Sequence, residues 1–257
     1  MSDVIAQDAP AEPRARVDIT GVRGDPESFL ARAFGEGAVE LAPFAAQALI
    51  EQRARKTQEA GKLPLWEGYE GAYSGARAAR EPARSSDQVR TRPTTGAFYY
   101  HLLRRLQPEV HVEFGTAFGV SGMYWLAALE DNGAGRLYTF DPNDAWRRLA
   151  VENLEAIGSR FTSVLGAFEA ECDGVLPAGA RIDSAFVDGI HTSAFVHPQV
   201  AFIKARMRVG GLIILDDIRF SKDMYACWSD LARRDDVRHS LEVGGRVGII
   251  EFAGPGI

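Results

Sequence analysis

The feature that most constrains the fold is the regular alternation of short apolar runs with amphipathic stretches over the last two-thirds of the chain. Such runs, bounded by glycines and acidic residues, are typical of buried strands. They predict strands at residues 110–114, 136–141, 161–165, 184–188, 211–216, 237–243 and 247–252. Helical patterns lie between the first five strands, at residues 121–130, 145–157, 168–173 and 195–207, and a further crossover helix is predicted at residues 223–234. Strands that alternate with helices form a parallel sheet covered by helices on both faces.

The last two predicted strands are joined by a turn that contains Gly244 and Gly245. Paired glycines are typical of a β-hairpin. The sheet is therefore expected to close with an antiparallel edge strand, which an ordinary nicotinamide-binding Rossmann domain would not have. We predict an α/β fold with a doubly wound, mostly parallel, seven-stranded sheet and an antiparallel hairpin after it.

The first third of the chain has weaker patterns. Residues 1–16, rich in Ala, Pro, Asp and Arg, are predicted to be a disordered tail, and residues 17–93 a mainly helical extension that includes a helix from Ala38 to about Thr57. Within this extension, Trp66, Tyr69 and Tyr73 in the segment from Gly61 to Arg92 indicate that part of it packs, as a lid over the site or as a strap or dimer contact. The main domain is predicted to span residues 94–257, opening with a helix capped by Thr94 or Thr95.

Charge and composition narrow the classes of function. The net charge of −6 does not favour a protein that neutralises nucleic-acid phosphates, so no nucleic-acid partner is expected. The two cysteines are far apart in sequence, as in a reducing compartment, and the first residues have no apolar stretch for a signal peptide or membrane span. We expect a cytoplasmic protein without a membrane partner.

Glycines follow the first strand of the main domain, in the run Glu113-Phe114-Gly115-Thr116-Ala117-Phe118-Gly119-Val120-Ser121-Gly122. Glycines at a strand-to-helix turn let the backbone approach a ligand, and the N-terminus of the next helix favours an anionic group. The second strand ends at Asp141, where a carboxylate can accept hydrogen bonds from ribose hydroxyls. The alternative is that Asp141 only caps the helix that begins near Ala145.

This run resembles the first motif of class I S-adenosylmethionine-dependent methyltransferases. It is most similar to the catechol O-methyltransferase-like branch and to the group of macrolide-sugar O-methyltransferases and cephalosporin-hydroxylase-like proteins, although Ala117 replaces a glycine that is common in the family. The resemblance covers the chain from Thr94 onward and implies a Rossmann-like methyltransferase fold. It implies that the methionyl part of the cofactor is surrounded by Glu113, Gly115, Thr116, Gly119 and Ser121, the ribose by Asp141, and the adenine by Gly166, Ala167 and Phe168, with Asp188 also touching the cofactor.

Acidic residues end the fourth and fifth strands, at Asp188 and at Asp216-Asp217. The carboxyl ends of these strands meet at one edge of the sheet, and three carboxylates there would repel one another unless a positive charge lies between them. Oxygen ligands without thiolates favour Mg²⁺, Ca²⁺ or Mn²⁺, so Asp188, Asp216 and Asp217 are predicted to bind a divalent cation, Mg²⁺ in the first place. The alternative is that Asp216 or Asp217 caps a turn and that Asp188 only touches the cofactor.

A histidine, His191, follows Asp188 by three residues. The resemblance implies a general base at this spacing, a lysine in the catechol enzymes and a histidine in the sugar enzymes. We therefore predict that His191 is the catalytic base, with His197 as the reserve candidate, and that the other histidines are structural.

These observations predict a divalent-metal-assisted, S-adenosylmethionine-dependent O-methyltransferase. The acceptor would be a hydroxyl of a small molecule, either a sugar of a natural product or glycan, or a vicinal phenolic diol. A nicotinamide-dependent oxidoreductase and a non-catalytic adenosylmethionine-binding partner protein are the alternatives. The resemblance also implies a homo-oligomer.

Overall fold

The computed structural model describes residues 14–65 and 82–255, so Trp66, Tyr69 and Tyr73 lie outside the described residues. The first part of the chain contains β1 (Ala15–Arg23), α1 (Phe29–Ala33), β2 (Gly37–Leu41), α2 (Gln47–Gln58), β3 (Leu63–Pro64), β4 (Ala83–Arg84), α3 (Ser86–Val89) and α4 (Pro93–Leu106). The remainder contains β5 (Val110–Phe114), α5 (Val120–Asn132), β6 (Arg136–Asp141), α6 (Asp144–Glu155), β7 (Phe161–Leu165), α7 (Phe168–Val175), β8 (Ile182–Val187), α8 (Ser193–Arg206), β9 (Met207–Leu215), α9 (Lys222–Leu231), β10 (Val237–Val243) and β11 (Val247–Phe252).

The central sheet has the strand order β2-β1-β10-β11-β9-β8-β5-β6-β7. Strands β5 to β9 pair in parallel, and β11 inserts antiparallel between β9 and β10. The prediction of a doubly wound, mostly parallel α/β sheet with an antiparallel hairpin is confirmed. The predicted number of seven strands is wrong, because the sheet has nine.

The two additional strands come from the part of the chain that was predicted to be mainly helical. Strand β1 pairs with β10, with Ile19 opposite Val243, and β2 covers β1, with Ala15 opposite Leu41. The hairpin therefore does not form the edge of the sheet, and residues 37–41 are a strand where a helix was predicted. Val17 and Ile19 are buried while their neighbours are exposed, the alternation of a half-buried strand. The division of the chain at residue 94 stays a prediction.

Helix α4 begins two or three residues earlier than a cap at Thr94 or Thr95 would give. Pro93 takes the first helical position, where its fixed φ suits the helix and its missing N–H is not needed, and Arg92 is the N-cap residue. Thr94 and Thr95 thus lie inside the helix. At the other end, Gln107 adopts a left-handed conformation and donates its N–H to the carbonyl of Leu103.

Helices cover both faces of the sheet. On one face α4 and α5 pack through Tyr99 and Trp125, whose rings stack with centroids 4.2 Å apart. On the other face α7, α8 and α9 pack through apolar side chains such as Ile203 and Trp228. No helix within the two described ranges is long and apolar enough to cross a membrane. The strand order reverses between β5 and β8, so a crevice opens at the carboxyl ends of these strands.

Candidate active site

A cavity of about 980 Å³ opens at the carboxyl ends of the parallel strands. Its wall is formed by the loops after β5, β6, β7, β8 and β9, by α3 and its flanking residues, and by the first half of α8. Cavities of this size hold molecules as large as nucleoside cofactors, and the position is the one where ligands bind in doubly wound folds.

The turn after β5 presses against the end of β8. Gly115 has φ of +85°, and a Cβ atom there would lie 2.3 Å from the carbonyl oxygen of Asp188. Ala117 also has positive φ, and its N–H donates to Oδ2 of Asp141 at 2.7 Å. Gly115 and Ala117 both line the cavity. The missing side chain of Gly115 is therefore what allows the backbone to approach both the cavity and the neighbouring strand.

Four predicted cofactor residues lie behind this turn and do not line the large cavity: Glu113, Thr116, Gly119 and Ser121. The buried carboxylate of Glu113 accepts hydrogen bonds from Ser121 Oγ and Thr139 Oγ1, each at 2.6 Å. Burial raises the pKa of Glu113 to about 7. At Gly119 a Cβ atom would lie 2.9 Å from Cα of Ala150. These residues hold the turn and pack α5 against α6.

The carboxylate of Asp141 lines the cavity at the end of β6. Besides the bond from Ala117, it accepts the N–H of Asn143 at 2.7 Å. Burial raises the pKa of Asp141 to about 6. The helix α6 is capped by Asn143, which accepts the N–H of Trp146, so the alternative role of Asp141 as the helix cap does not apply. A carboxylate has about four acceptor positions, so Asp141 keeps capacity for ligand hydroxyls.

One wall of the cavity is apolar and aromatic. The predicted adenine residues Gly166, Ala167 and Phe168 all line it. The ring of Phe168 packs edge-on against Phe114, with centroids 3.7 Å apart. Two further wall residues were not predicted, Phe140 and Trp146, and Trp146 is held by stacking on Phe118. Flat apolar walls of this kind suit an aromatic base.

The three predicted metal ligands are close together but are arranged around an arginine. Arg246 donates from Nε to Oδ1 of Asp216 at 3.0 Å and from Nη2 to Oδ2 at 2.8 Å. Its Nε also lies 3.1 Å from Oδ1 of Asp217. Asp217 and Asp188 line the cavity, whereas Asp216 is 2% exposed and lies behind them. The positive charge that the three carboxylates require is a guanidinium.

This arrangement does not fit the predicted metal site. Among the described residues there is no group of three His, Cys, Asp or Glu side chains arranged to hold a metal ion. Both oxygens of Asp216 already accept hydrogen bonds from Arg246. The prediction of Mg²⁺ on Asp188, Asp216 and Asp217 correctly brought these three carboxyl groups together. It missed the guanidinium of Arg246, which supplies the positive charge between Asp216 and Asp217.

His191 lines the cavity beside the two accessible carboxylates. Its Nε2 lies 3.6 Å from Oδ1 of Asp188 and 3.8 Å from Oδ2 of Asp217. Burial lowers the pKa of His191 below its ordinary value, against the opposing effect of Asp217 and Asp216. Burial and the two neighbouring carboxylates raise the pKa of Asp188. His191 is therefore neutral near pH 7 and can accept a proton from a group in the cavity.

The other histidines are placed differently. His111 is buried, bonds Ser184 through Nδ1, and has its pKa lowered to about 3 by burial. His101 bonds the carbonyl of Ala42, and His239 accepts the N–H of Asp25. His197, the reserve candidate, lies within α8 and does not line the cavity.

Arg246 is the main site residue that the sequence prediction missed, although a signal for it existed. In the pairing of β11 with β9, Gly248 lies opposite Leu215. Extending that register by two residues places Arg246 opposite Asp217. The hydrogen bond from Ile218 N–H to the Arg246 carbonyl, 3.0 Å, closes this register. The cavity residues Arg84, Asp87 and Arg92 were also missed, because their segment has no regular pattern.

Comparisons with known proteins agree with this geometry. Residues 112–218 match the sequence pattern of a family described as "Methyltransferase domain". Over these residues, which are less than half of the chain, the sequence is similar to a methyltransferase domain. The resemblance to class I methyltransferases and the prediction of a methyltransferase are therefore confirmed. No curated protein matches the chain.

Several solved structures share the fold of this chain. The O-methyltransferase TomG of Streptomyces achromogenes, involved in tomaymycin synthesis and crystallised with S-adenosylmethionine, has a TM-score of 0.55 and 18% identity over 82% of this chain and 100% of its own. The methyltransferase PaMTH1 of Podospora anserina, bound to S-adenosylhomocysteine, has a TM-score of 0.54 and 15% identity, over 82% of this chain and 98% of its own. An O-methyltransferase of Bacillus cereus has a TM-score of 0.51 and 17% identity, over 79% of this chain and 99% of its own.

Proposed function

We propose that this protein transfers a methyl group from S-adenosylmethionine to a hydroxyl oxygen of a small molecule. The observation that carries the proposal is that a neutral, buried His191 faces the same cavity as the Gly115 turn and Asp141. The similarity of the fold to TomG and to the Bacillus cereus enzyme, both O-methyltransferases with bound cofactor or product, supports the same chemistry.

The residues of the cavity fit S-adenosylmethionine. Gly115 leaves room for close approach along the backbone, and Asp141 offers acceptors for ribose hydroxyls. The wall formed by Phe140, Trp146 and Phe168 suits an adenine ring. When bound, S-adenosylmethionine supplies a methyl group on a positively charged sulfur.

His191 would act on the acceptor. A hydroxyl is a poor nucleophile until it loses its proton, and Nε2 of His191 can take that proton. The acceptor oxygen then forms a bond to the methyl carbon while the carbon–sulfur bond breaks, and its electron pair stays on sulfur. The imidazolium that results lies within 4 Å of the carboxylates of Asp188 and Asp217, which stabilise its charge.

Two finer points belong to the proposal. The acceptor is a sugar hydroxyl or a vicinal phenolic diol, and a histidine where catechol enzymes have a lysine favours the sugar type. A divalent cation, predicted as Mg²⁺, does not fit the donor set described above, and no step is routed through it. Natural-product biosynthesis, a cytoplasmic location and a homo-oligomeric state are part of the same proposal.

The first experiment is a calorimetric titration with S-adenosylhomocysteine, followed by methyl transfer from labelled S-adenosylmethionine to a panel of sugars and phenols. Binding and transfer to oxygen are expected. Binding of NAD in place of S-adenosylhomocysteine would identify an oxidoreductase instead. Tight binding without turnover on any acceptor, and without any effect of His191→Gln, would identify a non-catalytic cofactor-binding protein.

A further inference from the structure

We infer that Arg246 is the resident cation of this site and takes the place of a divalent metal ion, so that acceptor activation does not require one. The inference rests on the proposed function for its catalytic consequence. Its structural part concerns only the carboxylates of Asp188, Asp216 and Asp217, and it can be tested without an acceptor.

The guanidinium occupies three of the six carboxylate oxygens of this cluster. Arg246 bonds both oxygens of Asp216 in a bidentate pair and reaches Oδ1 of Asp217. A guanidinium is charged at every pH that proteins tolerate. A divalent cation beside it would be repelled by the charge of the guanidinium.

The backbone holds Arg246 in this position. Its carbonyl accepts the N–H of Ile218 at 3.0 Å, and its N–H donates to the carbonyl of Val243 at 3.1 Å. These bonds fix the residue between the hairpin turn and the loop after β9. Because the side chain starts from a fixed point and ends in a bidentate pair, its charge stays at the carboxylates.

The charge of the cluster suits the proposed reaction. One guanidinium does not balance three carboxyl groups, and two of these groups, Asp188 and Asp217, border His191. When His191 takes a proton, it becomes the second cation of the cluster. A fixed Arg246 therefore lets the site exchange a proton with the acceptor without first binding or losing an ion.

The direct test is a titration with Mn²⁺ alone, in which the electron paramagnetic resonance signal of free Mn²⁺ falls when the ion binds. Wild-type protein is expected to leave this signal unchanged up to millimolar Mn²⁺. Arg246→Ala frees the carboxylates of Asp216 and Asp217 beside Asp188 and is expected to create a site, which Asp217→Asn in the same chain removes. Arg219→Ala is the matched control, because Arg219 lies beside the same turn but bonds Glu242 at 2.7 Å.

The outcomes separate clearly. Manganese binding to the wild type that Asp217→Asn abolishes would overturn the inference, as would an Arg246→Ala protein that is folded and gains no site. If Arg246→Ala does not fold, the wild-type titration still decides. Once an acceptor is known, activity after exhaustive chelation is expected to change less than twofold, and a tenfold loss that Mg²⁺ restores would contradict it. Failure to bind S-adenosylhomocysteine would contradict the proposed function, but it would not change what the manganese titration says about Arg246.

Discussion

The two sides of the cavity satisfy their buried carboxylates by different means. On the side of the Gly115 turn, Glu113 and Asp141 accept hydrogen bonds from hydroxyls and backbone N–H groups, all of them neutral. On the opposite side, Asp216 and Asp217 are held by the charge of Arg246. Burial raises the pKa of carboxyls on both sides, those of Glu113 and Asp141 on the first and that of Asp217 on the second. The two sides therefore differ in the charge of the groups that hold the carboxyls.

The two sides of the cavity differ in their proposed roles: one binds the cofactor and the other transfers the proton. The side built with neutral donors presents a rigid turn that a cofactor can bind. The side built with charges contains His191, the group that must gain and lose a proton. If this division is correct, variants on the first side change affinity and stability, and variants on the second change the rate.

The largest expected effect is on the reactive side. His191→Gln removes the base and is expected to lower the rate constant for methyl transfer about 1000-fold, within the range typical of a positioned general base. In the wild type, activity should fall as the pH drops through the lowered pKa of His191, below 6.5, and this acid limb should vanish in the variant. Steady-state rates against pH measure both. His197→Gln is the control and should keep the wild-type profile.

The next effect tests the neutral side through stability. The pKa of Glu113 is about 7 in the folded protein, against the 4.5 of an ordinary glutamate side chain, which stands for the unfolded chain. The folded state therefore binds the proton more tightly. Stability should therefore fall as the pH rises from about 4.5 to about 7, by about 3 kcal/mol for this group. Glu113→Gln should remove this part of the decline. Urea unfolding of both proteins at several pH values measures it, and parallel curves would contradict the assignment.

A third variant tests the side of the Gly115 turn through its affinity for the cofactor product. Gly115→Ala places a Cβ atom against the carbonyl of Asp188 and adds the strain of a positive φ. The combined cost of a few kcal/mol should weaken binding of S-adenosylhomocysteine about 100-fold. Calorimetry measures the affinity. Gly174→Ala is the matched control, since it lies in α7 with nothing within 4 Å of the added atom, and it should bind as the wild type does.

The smallest effect concerns the proposed ribose contact. Asp141→Asn keeps the size of the side chain but removes the charge and one acceptor. It should weaken S-adenosylhomocysteine binding about 10-fold, the value of about one charged hydrogen bond. Calorimetry measures the affinity, and steady-state rates against pH should show little change of the profile for transfer, because His191 is untouched. Unchanged affinity would mean that Asp141 only braces the turn through Ala117 and Asn143.

Much of the sheet could be predicted because its strands are locally encoded. The buried runs at residues 110–114 and 136–141 have no polar interruptions, and both agree with the observed strands. Strand β1 has a clear alternation over only a few residues, and its principal partner, β10, lies at the other end of the described chain. The signal was present, but a short alternating run in a polar segment does not reveal a partner so distant in sequence.

The site shows the same limit. Gly115, Asp141 and His191 follow strand ends, so their position could be read from the order of the strands. The role of Ser121 could not, because its hydroxyl turns toward Glu113, which was itself expected to face the ligand. Arg246 required the register of the hairpin against β9, a fact about pairing between distant segments.

The pairing of β1 with β10 also has a consequence for how the chain is made. Synthesis proceeds from the N-terminal side, so Ile19 leaves the ribosome long before Val243, its partner, exists. Until then β2 is the only strand in the described residues with which β1 can pair, and an isolated two-stranded hairpin is marginally stable in water. The nascent chain thus exposes Val17 and Ile19 to chaperones and proteases for most of its synthesis. The β10–β11 hairpin that brings Arg246 to the carboxylates also shelters β1, so completion of the site and protection of the early strands coincide.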